Sequence, residues 1–426
     1  MRVEISPSKI NGTVVAPQSK SLTHRAIICA ALANGESVIN NANICDDTLA
    51  TIYAMRELGA RIDVIGSKLV VKGMEFKKHD EDVRLVVDSS ASTLRFTLPM
   101  ATHLFNNAII KVNKDLIKRP LTVYEKMYKE KGFEIKKVKS PKINRIFASG
   151  DIDDKTYTID ASESSQYVSG LLFMLPLLDH NSKIELTGEI VSRSYIDLTL
   201  EIMAKFGVKA KFEGNIITIK GKQTYKAKKY VVEGDWSLAS YYLALGACCG
   251  KVTVSGLNPN STQLDSAFLE ILKKMCADVV VEGKKVTTTK SNLMATDLDL
   301  GDNVDLAMPF SFVNAFALGG SRISNASRLE TKECDRKKAI IEMFKKFNMR
   351  ASCDKDNIYI APSEPQIQAK EVVSTYKDHR MAMLAVLLTA ASQTKVILDD
   401  AEALNKSYPR FLIDMKKLGV KYKVLD

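Results

Sequence analysis

SKSLTHRAIICAAL, residues 19–32, sets a pattern that the rest of the chain repeats. A polar opening of Ser, Lys, His and Arg runs straight into an apolar stretch of helical length. The plan returns at SASTLRFTLPMA (from Ser90), SSQYVSGLLFMLPLL (from Ser164), DWSLASYYLALGACC (from Asp235), VDLAMPFSFVNAFAL (from Val304) and KDHRMAMLAVLLTAA (from Lys377). Each is followed by an amphipathic segment: DDTLATIYAMRELGA, LTVYEKMYKEKGF, YIDLTLEIMAKFGV, LDSAFLEILKKMCA, CDRKKAIIEMFKKFN and YPRFLIDMKKLGV. These second helices end at Gly59, Gly132, Gly207, Cys276, Asn348 and Gly419, a period of about 70 residues and longer than common solenoid repeats. Gly and Asn are the residues that tolerate a left-handed helix C-cap.

Segments rich in β-branched residues fill the gaps, among them RIDVIGSKLVVKG, NIITIKG, KVTVSG, DVVVEGKKVTTTK and KVILDD. The unit reads β-α-β-α-β-β, six times. Six copies fit an α/β protein of two similar domains with three repeats each. The first domain is expected over residues 18–233. The second, discontinuous, is expected over 1–17 and 234–426, with the N-terminal strand closing it.

The chain has 426 residues, 46% of them hydrophobic and 26% charged, which suits two or three folded domains and excludes general disorder. Its longest apolar runs, Leu171–Leu178 and Ala382–Ala391, fall short of the roughly 20 residues that a membrane span needs. The start, MRVEISPSKINGTVV, has no apolar signal core, so a cytoplasmic protein without a membrane partner is expected. The seven cysteines have no metal-ligand spacing and the five histidines do not cluster with them. They read as buried thiols in a reducing compartment, with no zinc site. Sixty-one Lys and Arg against 50 Asp and Glu leave a net charge of +11. By itself that suits nucleic acid, anionic lipid or a small polyanion. The Lys-rich stretches KKVKSPK and KQTYKAKKY lack the interleaved aromatics of a base-stacking platform. The expected partner is therefore a small molecule rather than nucleic acid, and the expected state a monomer.

The first helices are almost wholly apolar and should be buried. Their starts are the exception, and a helix start offers free N–H groups and about half a positive charge to an anion. Three starts aimed at one end of each domain would make an anion-binding cleft between facing domains. Lys20 and Arg25 flank the first start, Arg95 lies in the second, and Ser164, Ser165 and Gln166 open the third. His379 and Arg380 open the sixth, followed in the same repeat by Lys406. Arg119 precedes Pro120, and Pro favours the first position of a helix, so Arg119 should stand at a helix start too.

On these residues the chain resembles the enolpyruvyl transferase family, in its branch of 5-enolpyruvylshikimate-3-phosphate synthases (3-phosphoshikimate 1-carboxyvinyltransferases). The motifs that carry the resemblance run the whole length: PQSKSLTHRA (17–26), SASTLRF (90–96), KRP (118–120), SSQYVSGLL (164–172), VSRSYID (191–197), EGDWSLASYYL (233–243), VDLAM (304–308), RLETKECDR (328–336), YKDHRMAM (376–383) and NKSYPRF (405–411). The resemblance implies an inside-out α/β barrel of buried helices in each domain and a cleft between the two. It implies that the 5-hydroxyl of shikimate 3-phosphate adds to C2 of phosphoenolpyruvate while C3 takes a proton, and that the adduct then loses phosphate. No metal or organic cofactor is expected.

By the same resemblance, shikimate 3-phosphate would be bound by Lys20, Ser21, Arg25, Ser164, Ser165, Gln166, Ser192, Tyr195, Asp305, Arg328 and Lys332. Phosphoenolpyruvate would be bound by Lys20, Ala91, Arg119, Gln166, Arg336, His379, Arg380 and Lys406. Asp305, Glu333 and Lys20 would carry the proton transfers. From the residues alone, the alternative for Asp305 is a helix N-cap before LAMPFSF, and for Glu333 an i,i+3 partner of Arg336. Two departures from the family pattern stand out: Ala91 where Gly is usual, and Leu264 in QLD where the family has QGD. A methyl at 91 should crowd mimics of phosphoenolpyruvate larger than the substrate, glyphosate among them. The sister transferase acting on UDP-N-acetylglucosamine usually carries a loop cysteine, whereas this chain has none between Cys45 and Cys248. An RNA-end cyclase of similar repeat plan is the rival from the nucleic-acid side.

Overall fold

The helices alternate between two kinds. In chain order they are α1 (Lys20–Ala31), α2 (Asp46–Glu57), α3 (Ala91–Leu104), α4 (Thr122–Glu130), α5 (Ser165–Met174), α6 (Arg193–Lys205), α7 (Trp236–Cys249), α8 (Phe268–Lys274), α9 (Ala307–Ala315), α10 (Arg336–Lys346), α11 (His379–Ala391) and α12 (Phe411–Lys417). The odd-numbered helices are the six apolar segments of the repeat and are buried along nearly their whole length. The even-numbered helices bury one stripe and expose the other. That is what an amphipathic 3.6-residue period dictates. The computed structural model describes residues 1–367 and 371–425. None of its helices is long and apolar enough to cross a membrane.

Two units divide the chain, a first of Ser19–Val232 and a second of Met1–Gln18 with Glu233–Asp426. Each holds three four-stranded sheets. Val83–Asp88 runs parallel to Asn107–Val112 across α3, and Asn144–Ser149 and Ile135–Val138 then add antiparallel. Val83–Asp88 alternates buried and exposed residues, so one sheet face meets the helices and the other meets solvent. Helices inside and sheets outside make each unit an inside-out α/β arrangement.

Strands distant in sequence complete both units. In the first, Lys229–Val231 runs parallel to Glu36–Asn40 and supplies the opening strand of the first repeat. In the second, Ile10–Val15 pairs parallel with Gly250–Ser255, and Val3–Ser6 pairs with Val396–Leu398 and Lys421–Val424. All six turn positions after the second helices have left-handed backbone, Gly59, Gly132, Gly207, Cys276, Asn348 and Gly419 alike. Cys276 therefore sits exposed on a C-cap, as Cys353 is exposed on a strand, which corrects the expectation of uniformly buried thiols.

Close packing of α3 on α5 rests on three residues. Pro99 lies inside α3 and lacks an N–H, so the carbonyl of Arg95, four residues earlier, loses its helical donor. The buried Tyr124 hydroxyl replaces it, 2.8 Å from the Arg95 oxygen and 3.0 Å from that of Tyr167 on α5. Gly170 lets the backbones meet, since a Cβ there would stand 2.3 Å from the Arg95 oxygen and 2.4 Å from the Tyr124 hydroxyl. Tyr124→Phe keeps the ring and strands a buried carbonyl. It is expected to cost about 1–3 kcal/mol in urea unfolding, and an unchanged midpoint would contradict this role.

Candidate active site

In the first unit the polar helix starts are tied to one another. Ser19, Ser90 and Ser164 cap α1, α3 and α5 by accepting from the N–H of Leu22, Thr93 and Gln166. A chain of hydroxyls links His24 Nδ1 to Thr51, Thr51 to Thr93 and Thr93 to Ser90, at 2.7, 2.7 and 2.8 Å. Gln166 donates to Ser92 Oγ at 2.9 Å and accepts from Arg95 Nη1 at 3.0 Å, joining the start of α5 to that of α3. Ala91 is the buried first residue of α3, beside this bridge.

Arg25 is buried at the start of α1 and donates to Thr199 Oγ1 and to the carbonyls of Ser21 and Tyr195, at 2.8, 2.9 and 3.1 Å. Its guanidinium also lies against the rings of Phe96 and Tyr195. Burial lowers its pKa to about 10. Arg25 and Arg95 are thus held by neutral acceptors and aromatic faces, which position the charge without cancelling it. Lys20 differs, with Nζ 2.8 Å from Asp47 Oδ2 in the first turn of α2. Ser165 is the buried first residue of α5. Ser192 holds a left-handed conformation (φ 55°) before α6, whose first turn contains Tyr195.

Arg119 departs from expectation. α4 begins at Thr122, so Pro120 is not its first residue. The Pro120 carbonyl instead accepts from Arg95 Nη2 and the Tyr167 hydroxyl, and Arg119 ends a short 3-10 turn, Leu116–Lys118.

In the second unit the starts gather around two arginines. Arg336, 2% exposed, opens α10. Its Nε and Nη2 reach the two oxygens of Asp378 at 2.7 and 3.2 Å, and Nη2 also reaches Glu333 Oε2 at 2.8 Å. Asp378 is fully buried and caps α11 through the N–H groups of Arg380 and Met381. Arg380 Nη2 lies 2.7 Å from Asp305 Oδ2, and Nη1 donates to Ser237 Oγ at the start of α7. Asp305 Oδ1 is 3.7 Å from Arg336 Nη1, and Lys406 Nζ is 4.0 Å from Glu333 Oε1. His379 is buried beside Asp378. Burial opposes the charge on both arginines, but the carboxylates outweigh it and hold both above the usual guanidinium range.

Asp305 lies in a 3-10 turn, Val304–Leu306, before α9, whose N-cap position is Leu306, and its carboxylate pairs with arginine. Glu333 does bind Arg336, from the loop before α10 rather than from a helix face. Lys332 is its half-buried neighbour in that loop. Arg328 donates to the carbonyls of Leu300 and Gly301. Sequence reasoning passed over Asp378 and Asp47, although acidic residues at helix starts are a signal for caps. It also read Asp265 only as part of QLD. Asp265 is buried near Ser237; burial first, then repulsion from Asp305, pushes its carboxyl well above the ordinary range, against Arg380 and the Ser237 hydrogen bond.

Buried helices inside sheets, with cations and carboxylates massed at the helix starts, are the build of a transferase for small anionic substrates. A solved EPSP synthase from Acinetobacter baumannii shares the fold with a TM-score of 0.80, at 21% identity over 99% of this chain and 100% of that one. The enolpyruvyl transferase NikO from Streptomyces tendae does so at 0.76, with 14% identity over 99% and 98%. A 3-phosphoshikimate 1-carboxyvinyltransferase from Clostridium perfringens is 36% identical, covering 98% of each chain. One from Clostridioides difficile is 35% identical over 98% of this chain and 97% of its own. Residues 5–415 match the family model for EPSP synthase (3-phosphoshikimate 1-carboxyvinyltransferase), and the chain belongs to that family.

Asp265 has a consequence for stability. A carboxyl raised by folding stabilises the fold when protonated, so its contribution is complete below about pH 4 and is lost as pH rises towards neutrality. Asp265→Asn should remove that dependence, raising the urea midpoint relative to wild type more at pH 8 than at pH 5. The same difference at both pH values would contradict it.

Proposed function

We propose that the gathered helix starts carry out the reaction of the family, transfer of the enolpyruvyl group of phosphoenolpyruvate to the 5-hydroxyl of shikimate 3-phosphate with release of phosphate. The observation that carries the residue roles is the contrast between the two sets of arginines. Arg25 and Arg95 are held by neutral groups and keep their charge for an anion. We assign the shikimate phosphate to this face of the first unit, with Lys20, Ser21, Ser164, Ser165, Gln166, Ser192 and Tyr195. Arg336 and Arg380 are planar forks suited to the carboxylate and phosphate of phosphoenolpyruvate, and Lys406 and His379 stand with them. Arg119, Ala91 and Gln166 complete the set, and Lys20 serves both substrates.

The proton steps follow from competition. Asp305 is bound to Arg380 and lies near Arg336. An incoming phosphoenolpyruvate recruits those guanidiniums to its own anionic groups and releases Asp305 to accept the hydroxyl proton. Glu333, between Arg336 and Lys406, gives and later removes the proton at C3. Oxygen at C2 and phosphate on the same carbon then resolve by C–O cleavage, with Lys20 neutralising the leaving group. Lys332 adds a cation for the shikimate substrate. Arg328 supports the 300–301 backbone that leads into the Asp305 turn. We read the protein as a cytoplasmic monomer with neither nucleic acid nor membrane as partner, because its informative charges stand at buried helix starts.

Phosphate release from phosphoenolpyruvate tests this directly. It is expected with shikimate 3-phosphate as acceptor and absent with UDP-N-acetylglucosamine; the reverse preference would overturn the reading. In the same assay Ala91→Gly should become more sensitive to glyphosate, and equal inhibition would remove the role given to the Ala91 methyl.

A further inference from the structure

The far end of α3 carries a second polar cluster that the reaction does not use. His103 is the penultimate residue of α3, twelve positions after Ala91. A helix rises about 1.5 Å per residue, which puts it roughly 18 Å along the axis from the α3 start. Its ring is 8% exposed and stacks on Phe76, with 5.4 Å between centroids. Nδ1 lies 2.8 Å from Asp151 Oδ1. The ligand atoms of His103, Asp151 and Asp153 all fall within 4.8 Å of one another. His180, from the loop after α5, brings Nε2 to 2.5 Å from Asp153 Oδ1.

The loop that carries the carboxylates is braced. The Tyr157 hydroxyl donates to the Ile152 carbonyl at 2.6 Å and accepts from the Asp154 N–H at 2.8 Å. Cation chemistry suits the place, because helix C-termini present partial negative charge. Lys78 Nζ already takes the second oxygen of Asp151, at 2.7 Å. Simple ion pairing would be satisfied by separate imidazole–carboxylate contacts. Here one imidazole nitrogen and two carboxylates from two segments converge, and the His180 imidazole reaches one of those carboxylates from a third segment. In a tetrahedral site with bonds of about 2.0–2.2 Å such donors stand closer than they do here, and small side-chain rotations cover the difference. Imidazole with carboxylate selects a borderline divalent transition metal rather than calcium or magnesium, which take oxygen alone.

We propose that His103, Asp151 and Asp153 bind one divalent transition-metal ion of the zinc class, with the His180 imidazole holding the Asp153 carboxylate in place. The ion ties the end of α3 to the linker between the second and third repeats, and His180 links that linker to the loop after α5. It displaces the Lys78 ammonium and the hydrogens shared between imidazole and carboxylate, and takes no part in enolpyruvyl transfer.

The test uses the full chain without a tag, stripped with chelator and titrated with Co²⁺ by visible absorption and with Zn²⁺ by calorimetry. One equivalent should bind, giving d–d bands without thiolate charge transfer. His103→Gln with Asp151→Asn should weaken binding by at least about tenfold, and Lys78→Met should tighten it. Zn²⁺ should raise Tm in wild type but not in the double variant, with turnover unchanged in both. Asp153→Asn, at an exposed position, repeats the loss of binding if the double variant folds poorly. Binding that survives these substitutions, that shows a thiolate band from the exposed Cys276 or Cys353, or that is absent would each overturn the proposal.

Discussion

A helix buried along nearly its whole length meets charged partners chiefly at its ends. Six such helices, three in each unit, place that constraint at the centre of this protein. Their sides pack apolar residues against the inner faces of sheets. Their starts must therefore be satisfied by caps, hydroxyls and charged side chains brought from other repeats. Asp378 shows the economy of this solution: one buried carboxylate caps α11 and fixes the Arg336 guanidinium. In the proposed reaction the chemistry uses the same groups that make the buried helices tolerable.

The two units satisfy the constraint differently, and the difference suits different tasks. In the first, Arg25 and Arg95 are held by amide, hydroxyl, carbonyl and ring, which orient a charge without neutralising it. In the second, Arg336 and Arg380 are met by Asp378, Glu333 and Asp305. Breaking such a buried pair is costly, typically about 3–5 kcal/mol, unless another anion takes the place of the lost partner. In the proposed mechanism the anionic substrate does so, and the displaced carboxylate becomes the base.

The repeat was legible because it is local. Helical apolar runs, amphipathic followers and left-handed turns recur in order, and even Cys276, without Gly or Asn, keeps the turn conformation by position in the repeat. Polar openings of the buried helices were legible for the same reason. Their partners were not. Arg25 finds Thr199 at a separation of 174 residues, and Arg380 finds Ser237 at 143. No spacing rule reports such pairs. A cap is the alternative for Asp305 that its sequence neighbours leave open and its arginine partner answers, and Pro120 has the look of a helix start although its carbonyl is taken by Arg95 and Tyr167. Asp265 escaped notice because only burial makes its carboxyl unusual.

In the proposed reaction, carboxylates at buried helix starts aim the arginines that act on substrate. Asp378→Asn probes this dependence, because Asn caps a helix as well as Asp does, while the charge and one of the two acceptors for Arg336 are lost. Steady-state kinetics with phosphoenolpyruvate and shikimate 3-phosphate, beside a circular dichroism spectrum, give the answer. A native helical spectrum is expected, with kcat/KM for phosphoenolpyruvate reduced by at least about a hundredfold. A native spectrum with wild-type kcat/KM would contradict it.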